Sequence, residues 1–502
     1  MSKEEYKMIS RQWLITVLCL ILSVGSGERA YAQETLDLED CIRIAQMNGP
    51  AARMAAQNYQ AREWQYQAFR SSLRPQITLS GNVPQLIRAI NPVEQNDGSL
   101  LYLPQSHGQS SVGLSVSQVI STTGGRLSLT SGLNRVDEFG AYQSHYYRAT
   151  PMTVNLHQPL FQHNPYHWNR EIQNIRYRKS RRMLIEEHLN VALQATDRYF
   201  TLYLAQINLK ISALNAAVND TIYTISQGRY RVGKIAENEL LQSELALMDA
   251  RARLEQDSLA YEKAEQELRI LLGYTSRATI SIQQPQEIPS VQPDPELAIK
   301  HALASRSEIL THQEQRLATE QDLARAQSEQ GLSLTLTASY GYNQRADELQ
   351  EVYSNPLDQQ YLNLQMEFPI FTWGKGAAEV EAARAELERL QTDLQLRERR
   401  LREEVYYQVR ELAQLRRQVR LKAKADTIAA RRFEVAKNRY LIGKIDITNM
   451  LLAQSEKDAA RRSYVQTLRQ YWMALHQLQR LTAYDYINGR AFRTGDFQRS
   501  QR

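Results

Sequence analysis

Arg229-Tyr230-Arg231-Val232-Gly233-Lys234-Ile235 returns 210 residues later as Arg439-Tyr440-Leu441-Ile442-Gly443-Lys444-Ile445. Each copy closes a stretch made for helix. Residues 168–230 hold no Pro and no Gly before Gly228, and residues 376–440 hold neither after Gly376. A stretch of that length, roughly 60 residues, is about 90 Å as one helix at 1.5 Å per residue. Gly233 and Gly443 can take positive φ and reverse the chain. Helical patterning then resumes over 236–272 and 446–483.

A second repetition lies further out. Residues 36–81 and 293–338 align without gaps at an offset of 257. Cys41/Ala298, Ile42/Ile299, Ala45/Ala302, Ala61/Ala318, Glu63/Glu320, Ile77/Leu334, Thr78/Thr335 and Leu79/Leu336 match or nearly match. Two copies of one unit imply a pseudo-symmetric fold. The chain divides into a signal segment 1–32, a first repeat 33–284, a connector 285–295, a second repeat 296–483 and a polar tail 484–502. The tail carries no readable element after Tyr486 and is expected to lack order.

The long helices need partners. Val380, Leu387, Leu394 and Leu401 recur every seven residues, with Ala383 and Leu390 between them, and such an a/d seam packs on another helix. Neither 236–272 nor 446–483 can cover its long neighbour alone. The helix that opens each repeat, 36–72 or 296–330, supplies the missing length. The arithmetic closes if both short helices lie antiparallel along one long helix.

Strand signals fill the gaps. Apolar Ile77, Leu79 and Val83 alternate with Thr78, Ser80 and Asn82; Val112, Leu114 and Val116 with Gly113, Ser115 and Ser117. Leu127 and Leu129 alternate with Ser128 and Thr130, and Met152, Val154 and Leu156 with Thr153, Asn155 and His157. In the second repeat Leu332 to Tyr340 alternates with Ser and Thr, and Leu362 to Phe368 with Asn, Gln and Glu. The strand regions are about 76–158 and 332–368. Period two gives one apolar and one polar face. Small hydroxyl and amide side chains on the polar face fit a water-filled lumen with lipid outside. A few strands in one chain leave open edges that lipid cannot satisfy. The strands are therefore expected to close into a barrel across several chains, extended by the helices as a hollow cylinder.

Composition removes other classes. Net charge is +6 over 502 residues, with both signs interspersed along the helices, so no concentrated basic face calls for nucleic acid. The run Arg397-Glu398-Arg399-Arg400-Leu401-Arg402 reads as a solvated helix face. Lys3, Lys7 and Arg11 precede an apolar core, Leu14 to Val24, and Ala30-Tyr31-Ala32 resembles a cleavage site, so a secretory signal is expected. Cys19 lies inside it, leaving Cys41 as a small apolar helix residue. Beyond the signal no run of eighteen apolar residues exists. No nucleophile elbow, phosphate loop or paired Cys or His motif is present, so neither enzyme nor cofactor is expected.

With the repeated Arg-Tyr-x-x-Gly-Lys-Ile turns, three further elements carry a resemblance. They are Gln158-Pro159-Leu160-Phe161, Phe368-Pro369-Ile370-Phe371-Thr372-Trp373-Gly374-Lys375, and the Leu38–Pro50 helix followed by Pro75-Gln76-Ile77. Their order and duplication resemble the TolC-type outer-membrane efflux channels over nearly the whole mature chain. The resemblance implies a mainly α fold with membrane β: long antiparallel helical hairpins in a periplasmic α-barrel, and strands in a β-barrel shared by a homotrimer. It implies a passive exit duct in the outer membrane of a Gram-negative bacterium. The partners it implies are outer-membrane lipid, a periplasmic adaptor of the membrane-fusion type and, through it, an inner-membrane pump. The first strand region departs from the family: it has four strand candidates against the usual two. The extra hairpin, about 111–134, would enlarge the barrel or decorate a rim.

The turns are hairpin reversals or, in addition, a docking surface with Arg229, Val232, Gly233, Lys234, Arg439, Ile442, Gly443 and Lys444 exposed on it. The family's gate acid falls on Glu239 and its gate tyrosine on Tyr440, so a Glu239–Tyr440 hydrogen bond is expected to hold helix pairs shut. The second-repeat acids fall on Asn449 and Leu452, the gate cation on Ile445, and the nearest acid is Asp446. His145, His157, His163 and His167 read as interfacial polar residues, and Tyr102, Tyr142, Tyr146, Tyr147, Tyr340, Tyr342, Tyr353 and Tyr361 as an aromatic girdle. A non-porous periplasmic coiled-coil scaffold or adhesion protein is the rival reading; it accounts for the heptads and leaves the strands unexplained.

Overall fold

The computed structural model describes residues 35–95, 97–139, 143–274, 280–283 and 288–498. The signal segment, Tyr142 and part of the connector lie outside them. The protein is mostly helical with a β-sheet. In the first repeat the helices are α1 (Leu38–Asn48), α2 (Pro50–Ser72), α3 (Pro165–Arg231) and α4 (Glu237–Leu272). In the second they are α5 (Pro295–Ser305), α6 (Ser307–Glu329), α7 (Lys375–Leu441) and α8 (Ile447–Thr482). Both repeats give 11, 23, 67 and 36 residues in that order. At 1.5 Å per residue α3 and α7 are each about 100 Å long.

The local causes repeat as well. Asp37 caps α1, its Oδ1 accepting from the Asp40 N–H at 2.7 Å. Asp294, the matching residue, caps α5 by accepting from the Glu296 N–H at 3.3 Å. Cys41 and Ala45 on α1, like Ala298 and Ala302 on α5, are 0% exposed, so only small side chains fit there. Both helices then break at matching residues, Gly49 and Arg306, where ψ swings to 143° and 135°.

Two compact units form. One holds Met1–Ala52, Val191–Ser290 and Gln414–Met473. Its core includes Tyr199, Phe200, Leu202, Leu268, Leu272, Met450 and Tyr471, all fully buried. Two buried hydroxyls satisfy backbone there: Tyr199 donates to the Gln283 carbonyl at 2.5 Å and Tyr471 to the Pro289 carbonyl at 2.8 Å. A short parallel pairing, β1 (Thr35–Leu36) with β6 (Ser281–Ile282), joins the same region. Here α4 lies antiparallel along α3: Asn219 meets the Ala246 carbonyl, and further down Arg198 pairs with Glu267.

The other unit holds Arg53–Asn190, Val291–Ala413 and Ala474–Arg502. Here α2 lies on α3, with the Tyr66 and Tyr177 rings stacked at 4.6 Å. Glu314 of α6 accepts from both Arg176 and Lys179 of α3. Of the expected α7 seam, Leu390 and Leu401 are buried while Val380, Ala383, Leu387 and Leu394 are half-buried, and burial continues instead along Val405, Val409 and Leu412. The tail does not lack order among the described residues. β9 (Tyr484–Asp485) pairs with β10 (Arg490–Ala491), and α9 (Thr494–Gln498) carries Phe497, which stacks on His188 at 4.5 Å. Tyr484 stacks on His301 at 4.4 Å as well, and a few scattered rings leave no periodicity to read.

The sheet of this unit has six strands in the order β2-β3-β4-β5-β7-β8, all antiparallel. They are β2 (Gln76–Glu94), β3 (Leu100–Ile120), β4 (Gly125–Phe139), β5 (Ser144–Leu160), β7 (Ser333–Ala346) and β8 (Leu357–Glu367). The extra hairpin thus becomes two interior strands, β3 and β4. β2, β3 and β5 run longer than alternation alone implies, because prolines interrupt the pattern where the ladder tolerates them. Pro84 and Pro92 lie on the edge strand β2. Pro104 lies beyond the end of β4, where β3 has one neighbour, and Pro151 sits in a bulge.

Candidate functional site

The two repeated turns end in the same geometry. Gly233 and Gly443 each adopt φ +73°. The Gly233 N–H donates to the Tyr230 carbonyl at 2.9 Å and the Lys234 N–H to the Arg229 carbonyl at 2.8 Å. Gly443 and Lys444 repeat both bonds onto Tyr440 and Arg439 at the same distances. This pair of bonds is the Schellman closure, which satisfies the last helical carbonyls.

The side chains break that symmetry. Tyr230 is 41% exposed, whereas Tyr440 is 5% exposed and packs with Ile222, Phe433, Ile447 and Met450. The Tyr440 hydroxyl lies 3.2 Å from the Ser226 Oγ. The Arg229 guanidinium sits 5.2 Å from the Tyr440 ring centroid and donates to the Tyr440 and Leu441 carbonyls. A cation on the last carbonyls of α7 also opposes the negative end of its dipole.

Two sequence expectations change here. Within the chain the Tyr440 hydroxyl pairs with Ser226, not with Glu239, because Ser226 lies one helical turn before Arg229 and faces the same cluster. Arg229 is half-buried, turned back onto α7, and does not belong with the exposed residues. Val232 and Ile442 are exposed at 68% and 66%, and Lys234, Arg439 and Lys444 are exposed beside them. Those three cations make no ion pair among the described residues.

Asp446 has a structural task. It precedes α8 and accepts from the Asn449 N–H at 2.8 Å, while the Asn449 side-chain amide donates back to it at 3.0 Å. At the matching positions of the first repeat stand Ala236, which makes no side-chain cap, and Glu239. Asn215 of α3 donates to Asp458 of α8 at 2.6 Å, a buried link that its sequence context did not reveal.

The sheet register sorts side chains by face. One row runs Ile77, Val116, Leu129, Val154, Tyr340 across five strands. The row on the other face runs Thr78, Ser115, Thr130, Thr153, Gly341, Gln359. The apolar face is uncovered within the chain: Ile77, Leu79, Leu86, Leu114, Leu129, Leu362, Leu364 and Met366 are all exposed. A recess of about 850 Å³ opens on the polar side, lined among others by Ser80, Asn82, Gln109, Ser111, Asn134 and Thr150. Exposed Phe161, Ile370, Phe371 and Trp373 collect at the two strand-to-helix junctions, where Phe161 and Trp373 take positive φ.

The aromatic girdle is partial. Register puts Tyr147, Tyr340 and Tyr342 on the apolar face, but Tyr146 and Tyr361 on the polar one. Tyr142 lies outside the described residues. His163 stacks near Trp168 and lies 3.4 Å from the Gln321 amide. No helix among the described residues is long and apolar enough to cross a membrane.

The chain matches the family described as outer membrane efflux protein over residues 41–274 and 298–483. No curated protein matches it. The outer membrane channel CmeC of Campylobacter jejuni is similar with a TM-score of 0.67 and 18% identity, over 93% of this chain and 90% of that one. VceC of Vibrio cholerae, an outer membrane protein, gives 0.62 and 14% over 90% and 96%. The open-state MtrE outer membrane channel of Neisseria gonorrhoeae gives 0.60 and 15% over 89% and 88%. At these identities the likeness is one of fold.

Proposed function

We propose that this chain, which belongs to the outer membrane efflux protein family, works as a passive exit duct in the outer membrane of a Gram-negative bacterium. Its unit of action is a homotrimer. The observation that carries this is the sheet: six strands, two unpaired edges, an uncovered apolar face and a hydroxyl- and amide-lined opposite face. In lipid an open edge leaves several kcal/mol of unmet backbone polarity per group. Pairing β8 of one chain with β2 of the next removes both edges. Three chains of six strands would close an eighteen-stranded barrel. That count leaves room for an aqueous bore. The apolar face then meets lipid, and the junction aromatics sit at the membrane boundary.

The helix tips dock a periplasmic adaptor, which couples the duct to an inner-membrane pump. Val232 and Ile442, flanked by Lys234, Arg439 and Lys444, offer apolar contact with cationic edges. A partner hairpin with apolar and acidic residues fits that surface. Arg229 and Tyr440 hold the paired tips together behind it.

Purified protein in planar bilayers tests the duct. Discrete conductance steps, with a trimer after chemical crosslinking, are expected. A monomer without conductance would favour the scaffold reading instead. For docking, Val232→Asp with Ile442→Asp is expected to abolish adaptor capture and leave conductance intact.

A further inference from the structure

We propose that Arg148 and Arg345 form an anion-binding girdle that makes the β-domain of the duct favour anionic solutes. The inference rests on the reading that the polar face of the sheet lines a bore.

Register brings the two together. Arg148 on β5 stands directly opposite Arg345 on β7, and Asn134, Ser111 and Asn82 continue the same row across β4, β3 and β2. Like charges directly opposite on one face repel. The structure offsets this only in part. The Tyr146 ring lies on the same face, with the Arg345 guanidinium 4.2 Å and the Arg148 guanidinium 5.7 Å from its centroid. A ring face attracts cations but carries no net charge.

No carboxylate completes the set. Neither arginine makes an ion pair among the described residues. The residues lining the recess of about 850 Å³ include Arg148, Arg345, Asn343 and Gln359, and no Asp or Glu. Of the acids nearest the pair, Asp137 binds Arg135 on the apolar face at 2.7 Å, Glu138, on the polar face four residues beyond Asn134, accepts from the Ser144 hydroxyl at 2.8 Å, and Asp347 and Glu348 lie past the end of β7. Glu367 shares the polar face but pairs with Ser333, twelve residues along β7 from Arg345. At 3.3 Å per residue that is roughly 40 Å away.

Two planar guanidiniums on one cross-strand pair match oxyanions, since each presents a fork of N–H donors to a carboxylate, sulfate or phosphoryl group. Three protomers would set three such pairs at one level of the bore. A narrow, one-signed ring raises the local concentration of the opposite ion. The effect needs no tight binding, and loose binding suits conduction.

Reversal potentials across a KCl gradient test this. The wild-type channel is expected to pass chloride over potassium. Arg148→Gln with Arg345→Gln should lower the chloride-to-potassium ratio on the order of threefold or more, and the double Glu variant should invert the preference. The double Lys variant keeps charge and should keep the preference. Arg135→Gln, on the lipid-side face, should change nothing. A conducting wild type that favours potassium overturns the girdle and leaves the duct standing. So does an unchanged ratio in the Gln pair. Absence of any conductance would instead overturn the duct.

Discussion

Arg229 reaches from α3 to the end of α7, its guanidinium over the Tyr440 ring and its Nη2 3.2 Å from the carbonyls of Tyr440 and Leu441. One side chain thus closes the last turn of a helix in the other repeat. Arg229→Ala is expected to loosen the tip and raise single-channel conductance. Tyr440→Phe keeps the ring under the cation and loses only the Ser226 bond, so its rise should be smaller. Glu239→Gln should leave conductance unchanged. Bilayer recordings of all three, at one voltage and salt, give the order. An Arg229→Ala channel no more open than wild type would sink this lock.

Helix capping differs between the repeats at Asp446 and Ala236. Asp446→Ala removes an N-cap and should cost about 1 kcal/mol. Ala236→Asp places a cap where the first repeat lacks one and should return a similar amount. Urea denaturation of the two variants checks both signs.

Two buried histidines predict acid sensitivity. Burial pushes His476 from 6.5 down to about 4, against weaker opposite pulls from Gln479 and Asp485. Burial alone pushes His188, beneath Phe497, to about 4. The unfolded chain binds these protons at about pH 6.5 while the folded chain does not until about pH 4. Their stabilisation is therefore whole above pH 6.5 and is lost as pH falls toward 4. Melting temperature in detergent should drop across that window. A profile flat from pH 7.5 to 4.5 would contradict the buried, neutral assignment.

The apolar sheet face predicts depth-dependent intolerance. Leu79→Lys or Leu364→Lys, each on that face, should cost about 2–4 kcal/mol if it meets mid-bilayer lipid. Thr78→Lys and Asn363→Lys, on the opposite face, should still assemble. Membrane fractionation with heat-modifiability on gels separates the two pairs. Equal tolerance at all four sites would count against lipid contact.

Much of this was legible in the chain itself. Helix lengths followed from where Pro and Gly are missing, and Gly233 and Gly443 marked the reversals. The alternation of Leu332 to Tyr340 gave β7 and its faces. Other features need register or packing. Arg148 and Arg345 are 197 positions apart, and two bulges shift β5, so no spacing rule puts them opposite one another. Ser226 is an ordinary helix serine until Tyr440 folds beside it. Arg229 looked like one more exposed cation, since a side chain reaching to another helix end leaves no local signature. Tyr484 and Phe497, scattered rings without a period, do not announce an ordered tail.

The matched helix lengths restrict how such a chain can change over generations. Deleting one residue from α3 would rotate everything beyond it by about 100° and shorten the reach by about 1.5 Å. Its counterpart α7 would keep the old phase, and Arg229 would no longer meet Tyr440. An isolated insertion or deletion in either long helix should therefore be purged unless its twin accompanies it. The connections between strands carry no such tie, since β2 to β5 and β7 to β8 already differ in number. Length variation among descendants of this sequence should gather there, in the connections between strands.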